Sequence, residues 1–303
     1  MMNRSGLVRF GEFETWFGIY GSVERSLDLG YAPLVVLHGG PGATHDYLLD
    51  LAALSSCGRA VIFYDQLGNG NSTHLRDAPV DFWTMDLFKE ELNSLVKELG
   101  VADRYHVLGQ SWGGFLAQEH AIERPLGLRS VVLSNTAASF PDFIAECNKL
   151  RQKLPTEVES TLRKHEAEGT TDSAEYVEAC EVFYRRHLLR LDEWPAHVAH
   201  SFALIDADPT VYHTMNGPSE FHVIGTAKNW TSVGRLARIN VPTLVISGEF
   251  DEATPALQET LVSGISGSEQ ILLKNTSHLA FVEDPGSYMA AVATFLAKAD
   301  HYS

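Results

Sequence analysis

Short apolar runs that end in glycines or polar turns alternate with stretches of helical period along most of this chain, and that alternation restricts the fold more than any other feature. Pro33-Leu34-Val35-Val36-Leu37-His38 runs straight into Gly39-Gly40. Residues 60–65, 104–108, 130–134, 241–247 and 270–273 repeat the pattern. Runs apolar on both faces belong to strands covered on two sides. Between them, residues 86–99 carry Leu87, Leu92, Leu95, Val96 and Leu99 at helical spacing and stop at Gly100. Residues 114–123 give another helix, closed before Pro125. Such alternation predicts a mostly parallel sheet with helices on both faces.

The pattern breaks once. From residue 139 to residue 228 there is no strand-like run; the segment is polar, helical in period and interrupted at Pro155, Gly169 and Asp208-Pro209. The expected organisation is a core of residues 1–138 and 229–303 with a helical cap, 139–228, inserted between two strands. The cap would lie over the carboxyl edge of the sheet, where open sheets of this class bind ligands. A length of 303 residues suits one such domain with its insertion.

The chemistry gathers at those carboxyl ends. Gly109-Gln110-Ser111-Trp112-Gly113 follows a strand and precedes a helix. A G-x-S-x-G turn in that setting holds its serine in an unfavourable backbone conformation and exposes the hydroxyl. A serine hydroxyl needs a base. In the α/β-hydrolase fold the acid and then the histidine follow the serine along the chain. Asp251, past the strand at 241–247, and His278, past the strand at 270–273, occupy those places. Asp251 is preferred over its neighbours Glu249 and Glu252 as the acid. His38-Gly39-Gly40-Pro41-Gly42 stands where this fold completes its oxyanion hole. Pro41 has no N–H, so the donor comes from Gly39 or Gly40, and Gly40 is favoured. The second donor is the N–H of Trp112. His38 is read as a support for the loop. Activity is expected to fall as His278 protonates, near its ordinary value of about 6.5.

Charge and cysteine content narrow the partners. A formal net charge of -16 disfavours nucleic acid and anionic lipid. Three cysteines, Cys57, Cys147 and Cys180, form no disulfide framework and no zinc-ligand spacing. The first residues lack the apolar core of a secretory leader, and no run approaches the roughly 18 apolar residues of a membrane span. A cytoplasmic enzyme that needs no metal or organic cofactor is expected.

With these motifs in order, the chain resembles the proline iminopeptidase family, serine aminopeptidases of the α/β-hydrolase fold that include related L-amino acid amidases. The resemblance runs over nearly the whole length. Its motifs are His38-Gly39-Gly40-Pro41-Gly42, Tyr64-Asp65-Gln66-Leu67-Gly68-Asn69-Gly70-Asn71-Ser72, Gly109-Gln110-Ser111-Trp112-Gly113-Gly114, Met215-Asn216-Gly217-Pro218-Ser219-Glu220-Phe221, Gly248-Glu249-Phe250-Asp251-Glu252 and Ser277-His278. Leu67 departs from the arginine many members carry there. The resemblance implies release of an unblocked amino-terminal residue, proline or another small apolar one, from a peptide, amide or aminoacylated small molecule. It also implies that Glu220 and Glu252 bind the free amine. An apolar pocket for the first side chain is expected from Phe140, Tyr212 and Trp230. The rival is an esterase or amidase acting on neutral acyl groups with no need of a free amine.

Overall fold

The computed structural model describes residues 1–301. Eight strands form one sheet: β1 (Arg4–Phe10), β2 (Phe13–Tyr20), β3 (Leu34–Leu37), β4 (Val61–Tyr64), β5 (Tyr105–Gln110), β6 (Leu128–Ser134), β7 (Thr243–Gly248) and β8 (Glu269–Leu273). Their order across the sheet is β1-β2-β4-β3-β5-β6-β7-β8. Every pairing from β4 to β8 is parallel. The sheet is therefore mostly parallel, as the alternation predicts, with an antiparallel hairpin at one edge. Strands β3 to β7 are buried almost throughout, because helices cover both faces.

The helices are α1 (Val23–Asp28), α2 (Met85–Glu98), α3 (Trp112–Ile122), α4 (Phe140–Arg151), α5 (Thr156–Glu168), α6 (Ala174–His187), α7 (Ala196–Ala207), α8 (Thr210–Met215), α9 (Pro255–Gly264), α10 (Ala280–Glu283) and α11 (Pro285–Ala299). Five of them, α4 to α8, lie between β6 and β7. The two ends of this segment meet at its base, where Ser139 bridges Thr231 and the Phe140 N–H donates to the Trp230 carbonyl at 3.0 Å. Among the described residues no helix is long and apolar enough to cross a membrane.

The hairpin β1–β2 is an addition to the sequence reading. It pairs antiparallel with register Phe10↔Phe13 across Gly11-Glu12, and β2 pairs antiparallel with β4. Gly11 takes a φ of 60°, which a tight two-residue turn requires. The hairpin sits at the sheet edge and one face of β1 is wet, so its alternation is only half apolar.

Candidate active site

Ser111 sits at the sharp turn between β5 and α3, with φ 55° and ψ −123°. Its N–H donates to the Ser134 carbonyl at 3.0 Å, and the Thr136 hydroxyl donates to its carbonyl at 2.8 Å. The flanking glycines are required by space. A Cβ on Gly109 would lie 2.0 Å from the Gly113 carbonyl oxygen, and one on Gly113 would lie 2.2 Å from that of Leu37. Gly113→Ala is expected to destabilise the protein by about 1–3 kcal/mol through overpacking against backbone. Urea unfolding measures this, and an unchanged midpoint would mean the turn can relax.

The loops after β7 and β8 bring Asp251 and His278 together. The Nδ1–H of His278 donates to Asp251 Oδ1 at 2.7 Å. A carboxylate only accepts, so Nδ1 carries the proton and Nε2 is left as the basic nitrogen. Asp251 is held from two further directions: its Oδ2 accepts from Asn135 Nδ2 at 2.7 Å and its Oδ1 from the Ala253 N–H at 2.8 Å. Asn135, just past β6 with φ 49°, also donates to the Ser277 carbonyl at 3.1 Å. Sequence reading missed it, although its place at a strand's carboxyl end was a signal. Glu249 lies outward, bonded to Lys274 and the Asn275 N–H.

Ser111 and His278 line the same two adjoining cavities, with Gly40 and Glu220. No hydrogen bond joins the Ser111 hydroxyl to the His278 ring among the described residues; such contacts commonly tighten only around a bound acyl group. Trp112 lines the second cavity beside Gly40. The Gly39 N–H is already taken by the Tyr47 hydroxyl at 2.7 Å.

Three carboxylates surround His278. Besides Asp251, Glu252 Oε1 lies 3.7 Å from its Nε2. Glu252 is wholly buried, and neither of its carboxylate oxygens has a hydrogen-bond partner among the described residues. Glu220, on the turn after α8, accepts from the Tyr212 hydroxyl at 2.6 Å. Burial pushes the Glu252 carboxyl well above its ordinary range against the attraction of His278, and repulsion from Glu220 and Asp251 adds to the rise. Burial likewise raises Glu220. For His278, burial alone would lower the pKa. Asp251, Glu252 and Glu220 outweigh it and bring the ring to about 9. The unshifted value expected from sequence is corrected accordingly.

The three residues expected to form the side-chain pocket are not brought to one cavity. Phe140 lines the Ser111 cavity with Phe115 and Phe143, stacked on Phe115 at 4.5 Å. Trp230 does not reach it: the indole packs edge-on behind Phe115 at 4.9 Å and donates to Glu119 at 2.7 Å. Tyr212 lines neither of the two cavities around Ser111, and its hydroxyl donates to Glu220 at 2.6 Å. Ala137 and Ala253 supply the remaining apolar wall.

Comparison with known proteins places this geometry. Residues 32–285 match the family described as alpha/beta hydrolase fold. A proline iminopeptidase of Saccharolobus solfataricus is 38% identical over 263 residues, 87% of this chain and 84% of that protein. The solved structure of proline iminopeptidase from Mycobacterium smegmatis is 46% identical with a TM-score of 0.90, covering 98% of this chain and 99% of that one. The crystal structure of VinJ is 45% identical with a TM-score of 0.96, over 98% and 99% of the two chains.

Proposed function

The chain belongs to the alpha/beta-hydrolase family and, within it, to the proline iminopeptidases, and we propose that it releases an unblocked amino-terminal residue, proline or a similar small apolar one, through an acyl-enzyme on Ser111. His278 Nε2 takes the serine proton as the Oγ attacks the scissile carbonyl, then gives it to the leaving amine. Water repeats the sequence to free the amino acid. Asp251 holds the imidazole tautomer and stabilises the imidazolium. The N–H groups of Gly40 and Trp112 receive the oxyanion. The use of the Gly39 N–H by Tyr47 favours Gly40 over Gly39. The segment α4 to α8 acts as the cap that closes this site.

One observation carries the reading: two buried carboxylates flank the catalytic histidine, Glu220 lining the cavities with Ser111 and His278 and Glu252 Oε1 lying 3.7 Å from the His278 Nε2, and neither Glu252 oxygen has a hydrogen-bond partner among the described residues. An unpaired buried carboxylate is costly unless a cation meets it. A substrate ammonium is the cation that this chemistry brings. The apolar wall of Phe115, Phe140, Phe143, Ala137 and Ala253 takes the side chain of the first residue. The partner is thus a small peptide or amino acid amide, and the unpaired Cys57, Cys147 and Cys180 suit a cytoplasmic setting.

Prolyl, alanyl and phenylalanyl anilides, each beside its N-acetyl counterpart, test the proposal. The free-amine forms should react at least about a hundredfold faster, since acetylation leaves both carboxylates unpaired. Equal rates would make the protein a general esterase or amidase instead.

A further inference from the structure

The peptide that presents the Gly40 N–H is held from behind by a histidine whose protonation the structure fixes. His38, wholly buried at the end of β3, accepts the Gln66 N–H on Nε2 at 2.9 Å. A backbone N–H can only donate, so Nε2 is bare and the ring proton is on Nδ1. Nδ1–H donates to the Gly39 carbonyl at 3.0 Å, and the Ala43 N–H reaches the same oxygen at 3.3 Å. That carbonyl and the Gly40 N–H belong to one planar trans peptide, so fixing the oxygen aims the N–H the opposite way. Burial, as the largest influence, lowers His38 to about 4, and the ring stays neutral at working pH.

Gln66 continues the chain of bonds toward the second donor. Its side-chain amide donates to the His38 carbonyl at 2.9 Å, and its Oε1 accepts from the Trp112 indole N–H at 2.9 Å. His38, Gln66 and Trp112 are all buried. The two donor-bearing segments, after β3 and after β5, are thereby linked through His38 and Gln66, neither of which lines the cavities around Ser111.

We propose that His38 and Gln66 are positioning residues of the oxyanion hole, which set the separation of the Gly40 and Trp112 N–H groups by joining the Gly39–Gly40 peptide to the Trp112 indole. This rests on the reading of Gly40 and Trp112 as the oxyanion donors. Losing one such donor outright costs about a hundred- to a thousandfold in kcat; loosening both without removing either should cost less, roughly ten- to a hundredfold.

Gln66→Met keeps the length of the side chain and removes both of its bonds. Two probes separate positioning from general damage. Pyrrolidine-2-boronic acid adds to the serine oxygen and places a boronate oxygen where the oxyanion forms. L-Prolinol carries the amine and ring with no group for the hole. The expected result is a ten- to a hundredfold loss in kcat on prolyl anilide with KM little changed. Boronic acid affinity should fall by a similar factor while prolinol affinity stays within about twofold. Unchanged kcat and boronate affinity in a folded variant would overturn the proposal, as would an equal loss for both probes. Where Gln66→Met fails to fold, Trp112→Phe breaks the same link from the other end, keeps the backbone donor and is judged by the same two probes. Failure of the underlying reading looks different: the parent enzyme would then bind the boronic acid no better than prolinol.

Discussion

Ser111→Ala is expected to lower kcat about a millionfold with the fold intact, and Ser111→Gly should be as inactive yet more stable than the alanine variant. Loss of the nucleophile leaves only binding and oxyanion stabilisation, which is why the effect is so large. The stability difference follows from the backbone. At φ 55° and ψ −123° a residue with a Cβ is strained, at a cost of about 1–3 kcal/mol. Alanine keeps that strain. Glycine removes it and gives part of the gain back through the freer unfolded chain, about 0.4–1 kcal/mol. A net advantage of about 1 kcal/mol over alanine should remain. Single-turnover kinetics and thermal unfolding of the three proteins measure both effects. Residual activity within about tenfold of the parent would remove Ser111 from the nucleophile's role. A glycine variant less stable than the alanine one would show that the turn stores no strain.

What the sequence made legible follows from how each feature is encoded. Strands β3 to β7 were readable because parallel strands covered on both faces leave unbroken apolar runs, and the partly exposed edge strand β8 still carries Ile271-Leu272-Leu273. The β1–β2 hairpin was not, because Leu7 and its neighbours face solvent at the sheet edge and dilute the pattern. The nucleophile turn was readable because steric demand at Gly109 and Gly113 fixes residue type at fixed spacing. Asn135, Gln66 and Tyr47 were missed as site residues: Asn135 and Gln66 carry only the weak signal of standing just past a strand's carboxyl end, and Tyr47 lies well away from any strand. Their roles exist only through bonds to distant partners. The positions of Trp230 and Tyr212 depend on how the helices after β6 pack, and no local pattern encodes that. The raised pKa of His278 arises from carboxylates that approach it through the fold: Glu220 lies far from it along the chain, and Glu252 belongs to another loop.

Glu252→Gln is expected to lower kcat/KM on free-amine substrates by about two to four decades and to move the acid limb of that profile downward. Leaving a buried ammonium with one partner in place of two costs about 3–5 kcal/mol, which sets the size of the loss. The direction of the limb follows from His278. In the free enzyme its pKa is about 9, with burial opposed by Asp251, Glu252 and Glu220. The kcat/KM profile reports the free enzyme and should rise over that range, well above the ordinary value of about 6.5. Once a substrate ammonium lies between Glu220 and Glu252 it offsets their charge, so the limb of kcat should fall at lower pH than that of kcat/KM. With glutamine at 252 the two limbs should draw together. Stability should move against activity. Glu252 titrates well above its ordinary value, so the native state holds that proton more tightly than the unfolded chain. Stability is then lost as pH rises through that range. Glutamine removes the loss, and the variant should melt higher than the parent at pH about 8. The two measurements are independent. A kcat/KM within about threefold of the parent would end the amine-site reading, whereas an unchanged melting temperature would mean that Glu252 is relieved of its burial by a partner the fold itself supplies.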